Sequence, residues 1–140
     1  MKIAIIGTGN LGGAIANGLI TNNAITSLYL TKRNVNGLSA FEGYKNVYLT
    51  SDNRKAVSQS DILIFAVQPA HFETILDDVK DLLTDKHVVI STITGYAISK
   101  IEGQIGKDQH IIRAMPNTAI AVGKSMTCLC SNALGTKRIK

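Results

Sequence analysis

The amino-acid sequence predicts an α/β fold, built as a doubly wound and mostly parallel sheet with helices on both faces. Three observations support this prediction. Strand-like and helix-like patterns alternate along the 140 residues. The chain opens on an apolar run that leads into a glycine-rich turn and an amphipathic helix. The run Ile62–Val67 is apolar throughout, which is typical of a parallel strand that is covered on both faces.

The first unit is expected to be a strand at 2–6 and a helix at 10–21, which Asn22 and Asn23 end. The strand is apolar after its first residue, as a buried central strand would be. The apolar residues of the helix fall on one stripe, at Leu11, Ala14, Ile15, Gly18 and Leu19.

Two shorter strands are expected next, at 27–31 and 47–50, with a short helix around 38–44 between them. Ser51 or Asp52 then caps the following helix, because such side chains accept hydrogen bonds from the free N–H groups at a helix start.

The strand at 62–67 is followed by a helix from Pro69, since proline suits the first turn of a helix. The apolar positions of this helix recur at helical spacing, at Phe72, Ile75, Leu76, Val79 and Leu83. A fifth strand is expected at 87–91.

The last part of the chain predicts a short helix that begins over 96–101 and ends at Gly103 or Gly106. A sixth strand is expected at 109–114 and a further one at 126–130, antiparallel at the sheet edge.

The turn after the first strand carries the glycine pattern of a dinucleotide-binding, Rossmann-type fold. Gly7 allows the tight turn, Gly9 lets a pyrophosphate approach the backbone, and Gly12 lets the helix pack closely on the strand. The free N–H groups and the dipole of the helix favour phosphate binding there. The alternative is an ordinary β-turn-α unit that uses glycine for packing alone.

Composition excludes several classes of partner. The net charge of +5 is spread along the chain and aromatic residues make up 5%, so no basic and aromatic stripe for nucleic acid is present. No run of about 18 apolar residues predicts a membrane span. Because no export signal is recognisable, we expect a cytoplasmic location.

The residues after the second predicted strand indicate which dinucleotide binds. Folds selective for NAD carry an acidic residue there, which binds the ribose 2′-hydroxyl. This chain has Lys32 and Arg33 instead, which favours the 2′-phosphate of NADP(H). NAD(H) stays open as the alternative cofactor, as does a solvent-facing role for both cations.

Three later segments also follow predicted strands, at the edge where such sheets bind ligands. In Ala66–Pro69 the small residues Ala66 and Val67 let the backbone run close to a cofactor before Gln68 and Pro69 begin the next helix. Ser91–Gly95 offers hydroxyls to the nicotinamide ribose, and Asn117 and Thr118 project polar groups. No acid–base or nucleophilic constellation accompanies them, which suits hydride transfer, since the cofactor carries that chemistry.

Several segments together resemble the cofactor-binding half of the pyrroline-5-carboxylate reductase family. They are IIGTGNLGGAIANGL at the start, DILIFAVQP around the fourth strand, and RAMPNTAIAVGKSMT, the most specific of the three. The resemblance implies reduction of 1-pyrroline-5-carboxylate to L-proline with NADPH or NADH, the last step of proline biosynthesis.

The resemblance also implies which residues contact the cofactor and the substrate. Asn117 and Thr118 would lie nearest the nicotinamide and the substrate. The cofactor contacts implied by position are Ile6, Gly7, Thr8, Gly9, Asn10, Leu11, Arg33, Asn53, Ala66, Val67, Gln68, Pro69, Thr92, Ile93 and Thr94. Asn53 fits independently, because it follows the third strand next to the adenosine end.

Two departures from the family pattern matter. Gln68 stands where the family usually has lysine, so no charge-based role is expected there. The family also has a helical second domain that forms a homo-oligomer built from dimers and supplies most of the substrate pocket. We therefore expect an NADP-binding domain at 1–125 and, at 126–140, an edge strand and the start of a link to that domain.

A chain of this length is expected to bind NADP(H) and to turn over little on its own. Two rival functions stay open. One is another NADP-dependent reductase, acting on imines or hydroxy acids, and the other is a non-catalytic module that senses NADP(H).

Overall fold

The computed structural model describes residues 1–21, 25–115 and 128–132. Within these residues seven strands form one sheet, in the spatial order β3-β2-β1-β4-β5-β6-β7. The strands are β1 (Lys2–Ile6), β2 (Ser27–Thr31), β3 (Val47–Thr50), β4 (Ile62–Phe65), β5 (Val88–Ser91), β6 (His110–Met115) and β7 (Cys128–Ser131).

Four α-helices and two 3₁₀ segments connect these strands in the described residues. The helices are α1 (Asn10–Thr21), α2 (Asn53–Ser58), α3 (Pro69–Val79) and α4 (Ile98–Ile105), and the 3₁₀ segments are Val35–Phe41 and Lys80–Leu82. The first six strands pair in parallel, and β7 pairs antiparallel with β6. This confirms the doubly wound, mostly parallel sheet and its antiparallel edge strand.

Alternate side chains of the sheet enter two separate cores, because successive residues of a strand point to opposite faces. On one face Ile3, Ile5, Leu28 and Leu30 pack with residues of α1 and the first 3₁₀ segment. On the other face Ala4, Ile6, Leu63 and Phe65 pack with residues of α2, α3 and α4. Helical elements therefore cover both faces, as expected for a doubly wound sheet.

The connection between β2 and β3 differs from its predicted position. It is a 3₁₀ segment at Val35–Phe41 rather than a helix at 38–44. The side chain of Asn34 accepts a hydrogen bond from the Asn36 N–H, which starts the segment early. Glu42 ends it with an extended backbone.

The remaining differences concern element ends. β4 stops at Phe65 rather than at residue 67, because the chain turns away there toward α3. α4 starts at Ile98 and ends at Gly106, whose φ of 97° suits glycine. Asn22 and Asn23, expected to end α1, and the predicted boundary at 125 lie outside the described residues.

Candidate cofactor-binding site

The strand order reverses between β1 and β4, which is the point where open α/β sheets bind their ligands. A cleft of about 900 Å³ opens there, within the range of about 300–1,000 Å³ that is usual for cofactor sites. It is lined by Gly7, Thr8, Gly9, Asn10, Leu11, Thr31, Lys32, Arg33, Ser51, Asn53, Ala66, Val67, Gln68, Pro69, His71, Ile75 and Thr92.

The glycine-rich turn leaves β1 with Gly7 at a φ of 88°, a conformation that favours glycine. The Gly7 N–H donates to the Thr31 hydroxyl at 3.1 Å, and the Thr8 N–H donates to the Thr31 carbonyl at 2.8 Å. A side chain at Gly7 would collide with Val67, so the turn also lies tightly against the end of β4.

The start of α1 presents backbone donors to the cleft. Within the part of the chain that the structure describes, the N–H groups of Gly9, Asn10 and Leu11 find no hydrogen-bond acceptor, as is usual before and within the first turn of a helix. A Cβ atom added to Gly9 would meet nothing within 4 Å. The geometry therefore leaves room for an anion against these donors.

Gly12 has a different surrounding from Gly9. A Cβ atom there would lie 2.6 Å from the Gly7 carbonyl oxygen and 3.3 Å from Ile5 Cγ2. Gly12 is therefore a packing residue beneath the turn, as the glycine pattern predicted.

Two cations lie at the β2 end of the cleft. Arg33 is exposed, whereas Lys32 is half-buried and its Nζ would lie 3.0 Å from a Cβ atom on Gly37, so its side chain extends along the 3₁₀ segment. No Asp or Glu is among the described residues that line the cleft. Ser51, directly after β3, and Asn53, the first residue of α2, complete this end.

The ends of β4 and β5 form the opposite wall. The Ala66 N–H donates to the Ile6 carbonyl at 2.9 Å, which continues the ladder one residue past β4. The Thr92 hydroxyl donates to the Phe65 carbonyl at 2.8 Å, and the Ser91 hydroxyl accepts from the Ile93 N–H at 3.2 Å. These hydroxyls mainly tie the wall together, so they are less free for a ligand than the sequence suggested.

One buried polar atom in the cleft is without a partner in the described residues. Thr8 is 3% exposed and its hydroxyl makes no hydrogen bond there. Because a buried hydroxyl is costly to leave unpaired, a bound polar ligand would stabilise this position. The open Gly9, the free N–H groups and this hydroxyl together fit a phosphorylated cofactor.

Most of the predicted cofactor residues lie together in the cleft, but four do not line it. Ile6, Gly12 and Ile93 are buried beneath it, and Thr94 is exposed away from it. Asn117 and Thr118 lie outside the described residues, so their role stays a prediction.

Four residues that line the cleft were not predicted from the sequence. They are Thr31, Ser51, His71 and Ile75. His71 and Ile75 lie one helical turn apart on α3, and only the placement of α3 against β4 brings them to the cleft. For Thr31, the available signal in the sequence was a polar side chain at the end of the predicted strand at 27–31.

Groups with a shifted pKa lie away from the cleft. Hydrogen bonds lower the pKa of Asp77, chiefly the one from Gln104, and the bond from Arg54 lowers that of Asp81. The same bond raises the pKa of Arg54, and burial raises that of Tyr96. None of these four lines the cleft.

The described residues bear on two other classes of function. They contain no group of three or more His, Cys, Asp or Glu placed to hold a metal ion. None of the described helices has the length and apolar character that crossing a membrane requires.

Comparison with known proteins gives a consistent family match. Residues 2–95 match the family described as "NADP oxidoreductase coenzyme F420-dependent". Pyrroline-5-carboxylate reductase 1 of Dictyostelium discoideum is 43% identical over 131 residues, which are 91% of this chain and 23% of that protein.

Solved structures agree with the family match. A pyrroline-5-carboxylate reductase from Coxiella burnetii superposes with a TM-score of 0.88 and 33% identity, covering 99% of this chain and 53% of that one. The pyrroline carboxylate reductase of Plasmodium falciparum, solved with NADP bound, gives 0.82 and 26%, covering 99% and 52%. The resemblance stated from the sequence is confirmed, and the chain spans about a quarter to a half of these relatives.

Proposed function

The chain belongs to the family described as "NADP oxidoreductase coenzyme F420-dependent", and from this membership we propose that the cleft at the reversal of the strand order binds NADP(H). We propose further that the chain is the cofactor-binding part of a pyrroline-5-carboxylate reductase, which reduces 1-pyrroline-5-carboxylate to L-proline.

A single observation carries the cofactor proposal. One cleft combines free backbone N–H groups at the glycine turn with two cations, Lys32 and Arg33, and no carboxylate among its described lining residues. Free N–H groups at the start of a helix bind anions, so they suit the diphosphate of a dinucleotide. The cations suit a further phosphate monoester, whose charge is about −1.5 to −2.

The proposed roles follow the cleft from one end to the other. Gly7 to Leu11 hold the diphosphate, while Arg33, with Lys32 beside it, holds the 2′-phosphate. Asn53 lies at the adenosine end, and Ala66 to Pro69 form the wall across from β2. Bound NADPH supplies the hydride, so the protein's part is to bind, orient and exclude water.

The substrate proposal has a different support. The Dictyostelium and Coxiella relatives carry the name pyrroline-5-carboxylate reductase, and the run from Arg113 to Thr118 resembles that family's signature. An imine carbon is already electrophilic when protonated, so this reduction requires no protein nucleophile. Asn117 and Thr118 are the residues that we propose nearest the substrate.

Binding of NADPH and NADH to Arg33→Ala tests the cofactor proposal. Each charge-assisted hydrogen bond contributes about 1.5–3 kcal/mol, so the unmutated chain should prefer NADPH by about ten- to a thousandfold. Arg33→Ala should weaken NADPH binding by about tenfold or more and leave NADH binding nearly unchanged. Nucleotide fluorescence in a titration measures both constants.

Arg54→Ala is the matched control, because it removes the same charge from an arginine that does not line the cleft. Its two affinities should stay close to those of the unmutated chain. Equal affinities of the unmutated chain for NADPH and NADH would remove the charge argument.

A further inference from the structure

We propose that Thr31 is a positioning residue, whose hydroxyl fixes the glycine turn so that the following N–H groups face the cofactor. The proposal rests on the proposed function, since it concerns the same cleft. This role of Thr31, the last residue of β2, differs from packing in the core and from the phosphate binding proposed for Lys32 and Arg33.

Thr31 holds two successive N–H groups of the turn. It is 1% exposed, with its hydroxyl oxygen 3.1 Å from the Gly7 nitrogen and its carbonyl oxygen 2.8 Å from the Thr8 nitrogen. Opposite it in the register lies Ile6, the last residue of β1. These two hydrogen bonds therefore hold the chain at the point where it leaves the sheet.

The turn makes the side-chain bond necessary. The Gly7 N–H donates to the side chain of Thr31 rather than to a carbonyl of β2, and with Gly7 at a φ of 88° it is the next N–H, that of Thr8, that donates to the Thr31 carbonyl. Within the described residues, the next three N–H groups, those of Gly9, Asn10 and Leu11, find no acceptor. The direction of these free donors therefore depends on how firmly the first two are held.

The side chain at position 31 has to be buried and, at the same time, accept a hydrogen bond from the Gly7 N–H. Leu28 and Leu30 of the same strand are fully buried and fill the core with apolar side chains. A valine at 31 would keep the β-branched shape of threonine but would leave the half-buried Gly7 N–H without an acceptor. Such an unpaired group is costly, and a looser turn relieves it.

The effect should be the same for both nicotinamide cofactors. Thr31 directly precedes Lys32 and Arg33, but among the described residues the hydrogen bond of its hydroxyl goes to the glycine turn, which is proposed to face the diphosphate that NADPH and NADH share. Loss of the hydroxyl should therefore weaken both dinucleotides by a similar factor, whereas loss of Arg33 should weaken one.

The experiment compares Thr31→Val with Thr31→Ser and the unmutated chain. Thr31→Val should weaken both NADPH and NADH by about tenfold, the size of one hydrogen bond, without changing their ratio. Thr31→Ser keeps the hydroxyl and should bind both with the unmutated affinities. Hydrogen exchange of the Gly7 amide, followed by NMR in the chain without nucleotide, should be faster in Thr31→Val and unchanged in Thr31→Ser.

Thr50→Val is the matched control. Thr50 pairs with Thr31 at the end of the neighbouring strand, and its hydroxyl accepts from the Asp52 N–H rather than from the glycine turn. It should bind both nucleotides within about twofold of the unmutated chain and leave Gly7 exchange unchanged.

The outcomes separate the two proposals. If the unmutated chain binds neither nucleotide, the proposed function fails. If it binds NADPH and a folded Thr31→Val binds equally well, or its Gly7 amide exchanges at the unmutated rate, the positioning role is wrong. Should Thr31→Val not fold, Thr31→Ala with the same exchange measurement takes its place.

Discussion

Gly9 and Gly12 belong to the same glycine-rich turn but meet different surroundings at the scale of single residues. Gly9 is exposed and would accept a Cβ atom without any contact within 4 Å. At Gly12 the same atom would lie 2.6 Å from a backbone oxygen, which cannot rotate away. Gly9 therefore leaves space for a ligand, and Gly12 allows α1 to approach β1.

Substitution by alanine should separate these two roles. Gly9→Ala should lower NADPH affinity by about tenfold or more, because its methyl group occupies the place proposed for the diphosphate. Its free energy of unfolding should fall by no more than about 1 kcal/mol, since alanine is merely a poorer residue at a helix start. Titration and chemical denaturation measure the two quantities.

Gly12→Ala should show the reverse order of effects. Alanine favours a helix over glycine by about 1 kcal/mol, but overpacking against the Gly7 oxygen costs about 1–3 kcal/mol, so the folded chain should lose stability. Gly103→Ala, within α4 and with nothing near its Cβ position, should gain stability and keep its affinity.

A Gly9→Ala chain that binds NADPH normally would contradict the proposed place of the diphosphate.

At the scale of elements, α2 shows how a short helix is held by its neighbours. Its six residues are too few for a stable isolated helix. Asp52 caps its start by accepting from the Lys55 N–H, and Arg54 pairs with Asp81 in the 3₁₀ segment that follows α3. Near its other end, the Val57 carbonyl lies 3.2 Å from Nε2 of the buried His87. The Nδ1 atom of His87 accepts from the Thr84 N–H, so Nε2 carries the proton and donates to Val57.

The pair of Arg54 and Asp81 should make part of the stability depend on acid pH. The hydrogen bond from Arg54 lowers the pKa of Asp81 from its ordinary 3.8 in the folded chain. A lowered folded pKa means that this contribution is present above the unfolded value and is lost as the pH falls through the folded one. Melting temperature should therefore decline between about pH 4 and pH 2 in part through this group.

Asp81→Asn should flatten this acid decline, as measured by thermal unfolding across the pH series. The contribution is small because both side chains are largely exposed, and added salt should weaken it. Asp85→Asn is the control, since this exposed carboxylate forms no ion pair with any described residue. An Asp81→Asn curve parallel to the unmutated one would show that the pair does not contribute.

At the scale of the whole molecule, the two cores lie on opposite faces of one sheet, and the cleft opens where the strand order reverses. One face is covered by α1 and the Val35–Phe41 segment, and the other face by α2, α3 and α4. The cleft takes residues from both sides, so a dinucleotide bound there would connect them. The Coxiella and Plasmodium relatives each have about as much chain again outside the matched part.

We expect the 140-residue chain to bind NADPH but to form proline slowly or not at all by itself. The cleft is proposed to hold the cofactor, whereas most of the substrate pocket is proposed to come from the additional part that the relatives carry. Proline formation by this chain should be compared with that of a chimera extended by the corresponding part of the Coxiella enzyme. Turnover by the short chain at a rate comparable to the chimera would contradict the proposed division of roles.

Much of the fold could be predicted because its signals are local. The strand at 2–6, the turn at Gly7 and the helix at 10–21 match β1, its turn and α1. The segment between β2 and β3 was predicted less well, since the capping bond of Asn34 was not considered. For the site, most residues that directly follow strands were identified, whereas His71 and Ile75 were missed because they reach the cleft from the first two turns of α3.

By itself, the sequence determined the α/β class, the glycine turn and the cations after β2. These depend on hydrophobic periodicity, on backbone freedom at glycine and on charge, which are properties of neighbouring residues. Only the tertiary structure decided that Thr31 clamps the glycine turn and that α3 lines the cleft. Those contacts join segments far apart in the chain, so they exist only once the crossover connections have brought β1, β2 and β4 side by side.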